Sequence, residues 1–137
     1  MNAHKTYAKI QKETLSGRDI EVMVLRKAVL QFRQAVAAPA GRERERLLEA
    51  AVRYNLRVWD IFQADWESPE CALSPTLRSD LLRLSIYAHK TALEVLAYAV
   101  PAKIDSLIHI NECLAEGLST GARAAFGQPM TAVSATG

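Results

Sequence analysis

The chain has 137 residues, half of them hydrophobic and 23% charged, with a formal net charge of +2. That length suits one domain with a core of its own, and so small a charge excess excludes the strong field that draws a protein onto nucleic acid or a membrane surface. The two cysteines, Cys71 and Cys113, lie far apart without a paired motif, and no Cys/His cluster has metal-ligand spacing, so no disulfide, metal or other cofactor is expected.

Alanine and leucine dominate while strand-favouring residues are few and scattered, which points to an all-α fold. The N-terminus lacks the apolar core of a signal peptide, and no uninterrupted apolar run approaches the ~20 residues that cross a bilayer. A cytoplasmic protein is the expectation.

Residues 1–16 are polar and basic, with Tyr7, Ile10 and Leu15 as the sizeable apolar groups after the initiator, and read as a flexible arm. From residue 17 the pattern turns helical, and Leu25, Ala28, Val29, Phe32 and Val36 form a stripe that ends before Pro39. Met23 and Leu30 fall off that stripe, so the first helix has apolar surface to spare for a second neighbour or a partner. Ala38-Pro39-Ala40-Gly41 reads as a turn. The alternating charges of Arg42-Glu43-Arg44-Glu45-Arg46 then open a second helix as a solvated face.

Leu47, Ala51, Tyr54, Val58, Ile61 and Phe62 recur on one side of this second helix, which the spacing turns toward the core. Asn55 and Trp59 border the stripe together with Leu48 and Val52 and give the helix a second, partly apolar flank. An unpaired buried amide costs about 1–3 kcal/mol, so Asn55 must reach water, backbone, a neighbouring helix or a partner. Residues 65–74 read as a loop broken at Pro69, after which Ser74-Pro75 has the form of an N-cap followed by proline at the first helical position.

The third helix carries two apolar stripes, one through Leu77, Leu81, Leu84, Ala88, Ala92 and Val95, the other through Leu82, Ile86, His89, Leu93 and Leu96. Being apolar on two sides, it is expected to be the central helix, closed by Pro101. The fourth runs from about Ala102 to Leu118 with Ile104, Leu107, Ile108, Asn111, Leu114 and Leu118 on one face. Beyond it, residues 119–137 are small and glycine-rich and read as a flexible tail. The organisation is thus a bundle of about four helices: an arm over 1–16, a helical domain over 17–118 and a tail over 119–137.

Phosphate-binding glycine loops, zinc signatures and nucleophile elbows are missing from the sequence, so an enzyme is not expected, although Asp60 and His89 could meet in space. Arg53, Arg57, Tyr54 and Trp59 lie within two turns and invite an RNA-stacking reading, but stacking needs exposed rings and Tyr54 belongs to the core stripe. Packing with solvated charge explains these residues better.

Four stretches, in order, resemble the FlaF family, the flagellar biosynthesis proteins of alphaproteobacteria. They are Tyr7 through the helix entry Ser16-Gly17-Arg18-Asp19-Ile20-Glu21, Tyr54-Asn55 with Trp59-Asp60-Ile61-Phe62, the helix from Leu84 to Leu96, and Lys103-Ile104-Asp105-Ser106-Leu107-Ile108-His109-Ile110-Asn111 through Glu116-Gly117-Leu118. The chain departs from the pattern at Gly17, where the family has proline, and in residues 119–137, which extend past the family's usual end. The resemblance implies a role in flagellin production: a cytoplasmic export chaperone that binds flagellin through an amphipathic terminal helix and acts alongside FlbT, which restrains flagellin translation. The alternative it leaves open is a post-transcriptional regulator of flagellin messenger RNA, acting directly or through FlbT. Partner contacts are expected at Asn55, Trp59 and Phe62 on the second helix, Met23 and Leu30 on the first, and Ile108 and Asn111 on the fourth.

Overall fold

Apolar side chains recurring at alternating steps of three and four residues organise the whole molecule. The computed structural model describes residues 17–126, with side chains as far as Thr120, and forms helices α1 Gly17–Ala37, α2 Arg42–Glu67, α3 Pro75–Tyr98 and α4 Pro101–Phe126. The expected arm over 1–16 and the tail beyond 126 lie outside the described residues. Short connections turn each helix back along its predecessor, and α1 packs on α4 to close the ring.

The buried positions show the period directly. They are Leu25, Ala28, Phe32 and Ala35 on α1, Leu48, Val52, Asn55, Trp59, Phe62 and Trp66 on α2, Ser85, Ala88, Ala92 and Val95 on α3, and Ile104, Leu107, Asn111 and Leu114 on α4. Such a 3–4 repeat keeps one seam of each helix on its neighbours along its whole length. On α2 the flank of Leu48, Val52, Asn55 and Trp59 turns inward together with Ala51, Val58 and Phe62 of the expected stripe, while Ile61, expected in the core, stands 72% exposed. The aromatic residues decide that rotation. Phe62 stacks on Trp66 at 5.3 Å and Trp59 meets both edge-on at 6.1 Å, a cluster whose large apolar area lowers the free energy most when it faces inward. The same cluster draws Trp66 into α2, so the helix runs to Glu67 where the sequence pattern places a loop from residue 65.

Two tryptophans and a phenylalanine on α2 leave little room opposite, and α3 answers with serine and alanine. α3 is therefore not the central helix its two stripes predict. It packs on α2 and α4 through its small residues and Val95, keeps Leu81, Leu82 and Leu84 against the edge of the core, and leaves Ile86, Leu93 and Leu96 exposed. α4 also differs from expectation, continuing past Leu118 to Phe126. Within that extension Thr120 donates its hydroxyl to the Glu116 carbonyl at 2.9 Å, and the alanines at 122, 124 and 125 are strong helix formers.

The helix ends follow local rules. Ser74 Oγ accepts from the Leu77 amide at 3.2 Å with Pro75 in the first turn. Gly41 takes a φ of 143°, which only glycine adopts readily, and reverses the chain into α2. Arg44, read in the sequence as part of a solvated face, donates instead to the Val36 and Ala38 carbonyls at 2.7 and 2.8 Å and so caps the end of α1.

A single polar layer divides the core into two apolar halves, one around Phe32, Val52 and Leu107, the other around Trp59, Trp66 and Leu114. In that layer Trp59 Nε1 donates to Asn111 Oδ1 at 2.8 Å, and Asn111 Nδ2 donates to Asn55 Oδ1 at 2.6 Å. An indole N–H can only donate, so the orientation of Asn111 is dictated by Trp59 and that of Asn55 by Asn111. Asn55 Nδ2 is left without a partner. Asn111→Leu would orphan both the Trp59 N–H and the Asn55 carbonyl, whereas Asn55→Leu would orphan only Asn111 Nδ2. With about 1–3 kcal/mol per buried unpaired group, urea unfolding should show the larger loss for Asn111→Leu; equal losses would contradict this network.

At the start of α1, burial pushes the Glu21 carboxyl above the usual carboxylate range, outweighing Arg18, whose guanidinium lies 3.2 Å away, and Asp65 adds repulsion. A raised folded-state value means that the folded chain holds this proton more tightly than the unfolded one. The corresponding stability is complete below the unfolded carboxylate range and is lost as pH rises through the folded value. Glu21→Gln should therefore reduce the loss of thermal stability across mildly acidic pH. A steeper loss in the variant would reverse that assignment.

Candidate functional site

The residues expected to touch a partner separate into two groups. Asn55, Trp59, Phe62, Ile108 and Asn111 are all buried, and no partner can reach them in this conformation. The large apolar groups face α1, α3 and α4, and the asparagines are engaged inside the core, Asn111 accepting from Trp59 and donating to Asn55. Met23 and Leu30 are 63% and 54% exposed on the outer side of α1.

Leu30 lines an open cleft of about 880 Å³ between α1 and α4 that also includes Arg26, His109, Cys113 and Glu116. Arg33 and Glu112 bridge the two helices there at 2.8 Å, and both are about half exposed. A pair in water at that exposure contributes at most about 1 kcal/mol. Polar groups thus break up the apolar wall of this cleft.

The more continuous apolar surface lies on α3. Leu82, half-buried at its start, is followed by Ile86, Leu93 and Leu96, which are 65%, 55% and 41% exposed. His89 completes the row in its middle. These positions repeat the spacing of the core seam one residue further along, about 100° around the same helix. The row is visible in the sequence as the second stripe of the third helix, but which stripe faces inward depends on the tryptophans of α2, and periodicity alone does not encode that competition for volume.

Asp60 and His89 do meet. His89 Nε2 lies 2.6 Å from Asp60 Oδ1, and Nδ1 lies 2.8 Å from the Ser85 carbonyl oxygen. Both ring nitrogens lie within hydrogen-bond distance of an oxygen, which fixes the ring between α2 and α3. The nearby Ser85 hydroxyl donates to Gln63 Oε1 at 2.9 Å and is buried, so it is not presented to a substrate as a nucleophile. The arrangement is an interhelical clamp beside the exposed row. Among the described residues, no group of three or more His, Cys, Asp or Glu side chains could hold a metal ion.

Trp59 illustrates how far burial changes the test of a site. Truncating a fully buried indole costs about 3–5 kcal/mol through lost contacts and the cavity left behind. Trp59→Ala should show that loss in chemical denaturation with no partner present. A variant of native stability would place the ring outside the core.

A search of curated proteins and a search of solved structures each find no match to this chain. Among the described residues no helix is long and apolar enough to cross a membrane. The family model described as flagellar protein FlaF matches residues 3–118, the region that contains the first three helices and α4 as far as Leu118. On that match, the chain belongs to the FlaF family of flagellar proteins.

Proposed function

We propose that this flagellar protein is a cytoplasmic export chaperone for flagellin, holding an amphipathic flagellin helix against its apolar exterior without chemical turnover and supporting flagellin synthesis and secretion. The observation that carries this reading is the exposed row on α3. The core is filled by Trp59, Trp66, Phe62 and Phe32 without help from Ile86, Leu93 or Leu96, and contiguous aliphatic surface of this kind marks interaction sites. A helical row with coiled-coil spacing is complementary to another amphipathic helix.

Regulation of flagellin messenger RNA by direct contact receives less support from the same geometry. Trp59 is buried and Tyr54 lies beneath the Lys27 ammonium, 5.2 Å from its ring centroid, so neither ring stands free to stack on a base. Action beside FlbT is compatible with the chaperone reading and belongs to it.

Titration of monomeric flagellin into the purified chain should give saturable binding with a negative heat-capacity change, the mark of apolar burial. Raising the salt concentration should weaken it only modestly. Absence of flagellin binding, together with tight, steeply salt-dependent binding of the flagellin transcript, would replace the chaperone with the RNA regulator.

A further inference from the structure

Among the described residues two buried side-chain polar atoms have no hydrogen-bond partner, Asn55 Nδ2 in the polar layer and Thr91 Oγ1 on the inner face of α3. The Thr91 hydroxyl has left water without gaining a bond, and that loss weighs against the packed position of α3. The apolar gain on the same face is small. Ala88, Ala92 and Val95 are buried there beside the polar Ser85 and Thr91, and Leu81, Leu82 and Leu84 reach only the edge of the core. By contrast α1 buries Leu25, Val29 and Phe32, and α4 buries Ile104, Leu107, Ile108, Ile110 and Leu114. Of the four helices, α3 brings the smallest apolar side chains to the core and so gains least from burial.

Polar ties across its interfaces do not make up the difference. His89 meets Asp60 at 2.6 Å and Glu94 meets Lys103 at 3.2 Å, but Asp60 is largely exposed and the Glu94–Lys103 pair is partly so, where ion pairs are weak. The Ser85 hydroxyl donates to Gln63 at 2.9 Å, and Arg78 donates to the Glu67 carbonyl at 3.3 Å in an exposed position. The other three helices hold together without α3. α1 packs on both α2 and α4, and the hydrogen bonds from Trp59 to Asn111 and from Asn111 to Asn55 join α2 to α4 directly.

We propose that α3 is a strap that opens as a unit while α1, α2 and α4 stay folded, hinging at residues 68–74 and at Ala99–Val100. The closed form shows the row of Ile86, Leu93 and Leu96. The open form uncovers a second apolar surface, the part of the Trp59, Phe62 and Trp66 cluster against which Ala88 packs. A partner that binds this surface shifts the chain to the open form by its differential affinity, so α3 gates access to the cluster. The inference concerns the free chain and goes beyond the chaperone reading, which needs only the closed form.

Native-state hydrogen exchange on the full chain, followed amide by amide at low urea concentrations, tests the strap. After correction for intrinsic rates, amides in the middle of α3, from Leu84 to Leu93, should exchange at least about tenfold faster than those around Trp59 on α2 and Leu107 on α4. Their exchange should also depend less on urea, because opening one helix exposes less surface than unfolding the chain. Thr91→Val removes the unpaired hydroxyl at nearly constant shape and should slow the α3 amides at least about fivefold. Equal rates and equal urea dependence in α2, α3 and α4 would overturn the proposal by showing that α3 opens only when the whole bundle unfolds. Exchange in α3 unchanged by Thr91→Val would overturn it too, since the buried hydroxyl would then not loosen the strap.

Discussion

The hydrogen bond from the Trp59 indole to Asn111 spans the bundle between α2 and α4, and the faces of both helices follow from it. An indole N–H taken out of water must find an acceptor, and a short amide inside an apolar core must find donors and acceptors of its own. Each supplies the other only when Trp59 and Asn111 point at the same place. A slip of one turn in either helix would separate them and leave two polar groups unpaired. Polar residues at a single seam position are known to set register in helical assemblies, and the layer of Asn55, Trp59 and Asn111 has the composition for that task.

Consequences of that register reach the surface. With Trp59, Phe62 and Trp66 turned inward, the space opposite is taken, and α3 can approach only through Ser85, Ala88 and Ala92. Ile86, Leu93 and Leu96, on the adjoining flank of α3, are then left facing water. Placing a bulky seam on α2 and a small one on α3 closes the core with apolar side chains left over on the surface of α3, and it is there that the proposed function seats a client helix. The His89 ring, held between Asp60 and the Ser85 carbonyl, fixes α3 against α2 in the middle of the same row.

Much of this fold was legible in the residues. Four helices, the Ser74-Pro75 start, the turn at Gly41 and the inward face of α4 follow from period, capping chemistry and the special residues. The rotation of α2 was legible only in part: Ala51, Val58 and Phe62 of the expected stripe are buried, but the buried face is centred nearer Asn55 and Trp59, which leaves Ile61 outside. Volume decides the matter, and volume is a property of the packed set, not of one helix. Asn55 and Trp59 carried a correct signal, that an amide and an indole on a helix flank require a partner. The partner they found is Asn111, fifty-odd residues along the chain, where sequence spacing alone could equally have assigned a second protein. Placing the surface row depended on the same choice, since the inward stripe had to be known before the outward one could be.

Solvent paramagnetic relaxation measured at methyl groups of the free chain tests this arrangement most directly, because it reads which stripe of α3 faces water without any partner. The account predicts strong enhancement at Ile86 and Leu93 and almost none at Val52, Val95 and Leu107. Protection of Ile86 and Leu93 to the level of Leu107 would mean that the row is covered in the free protein, and the surplus apolar surface on which the functional reading depends would not exist.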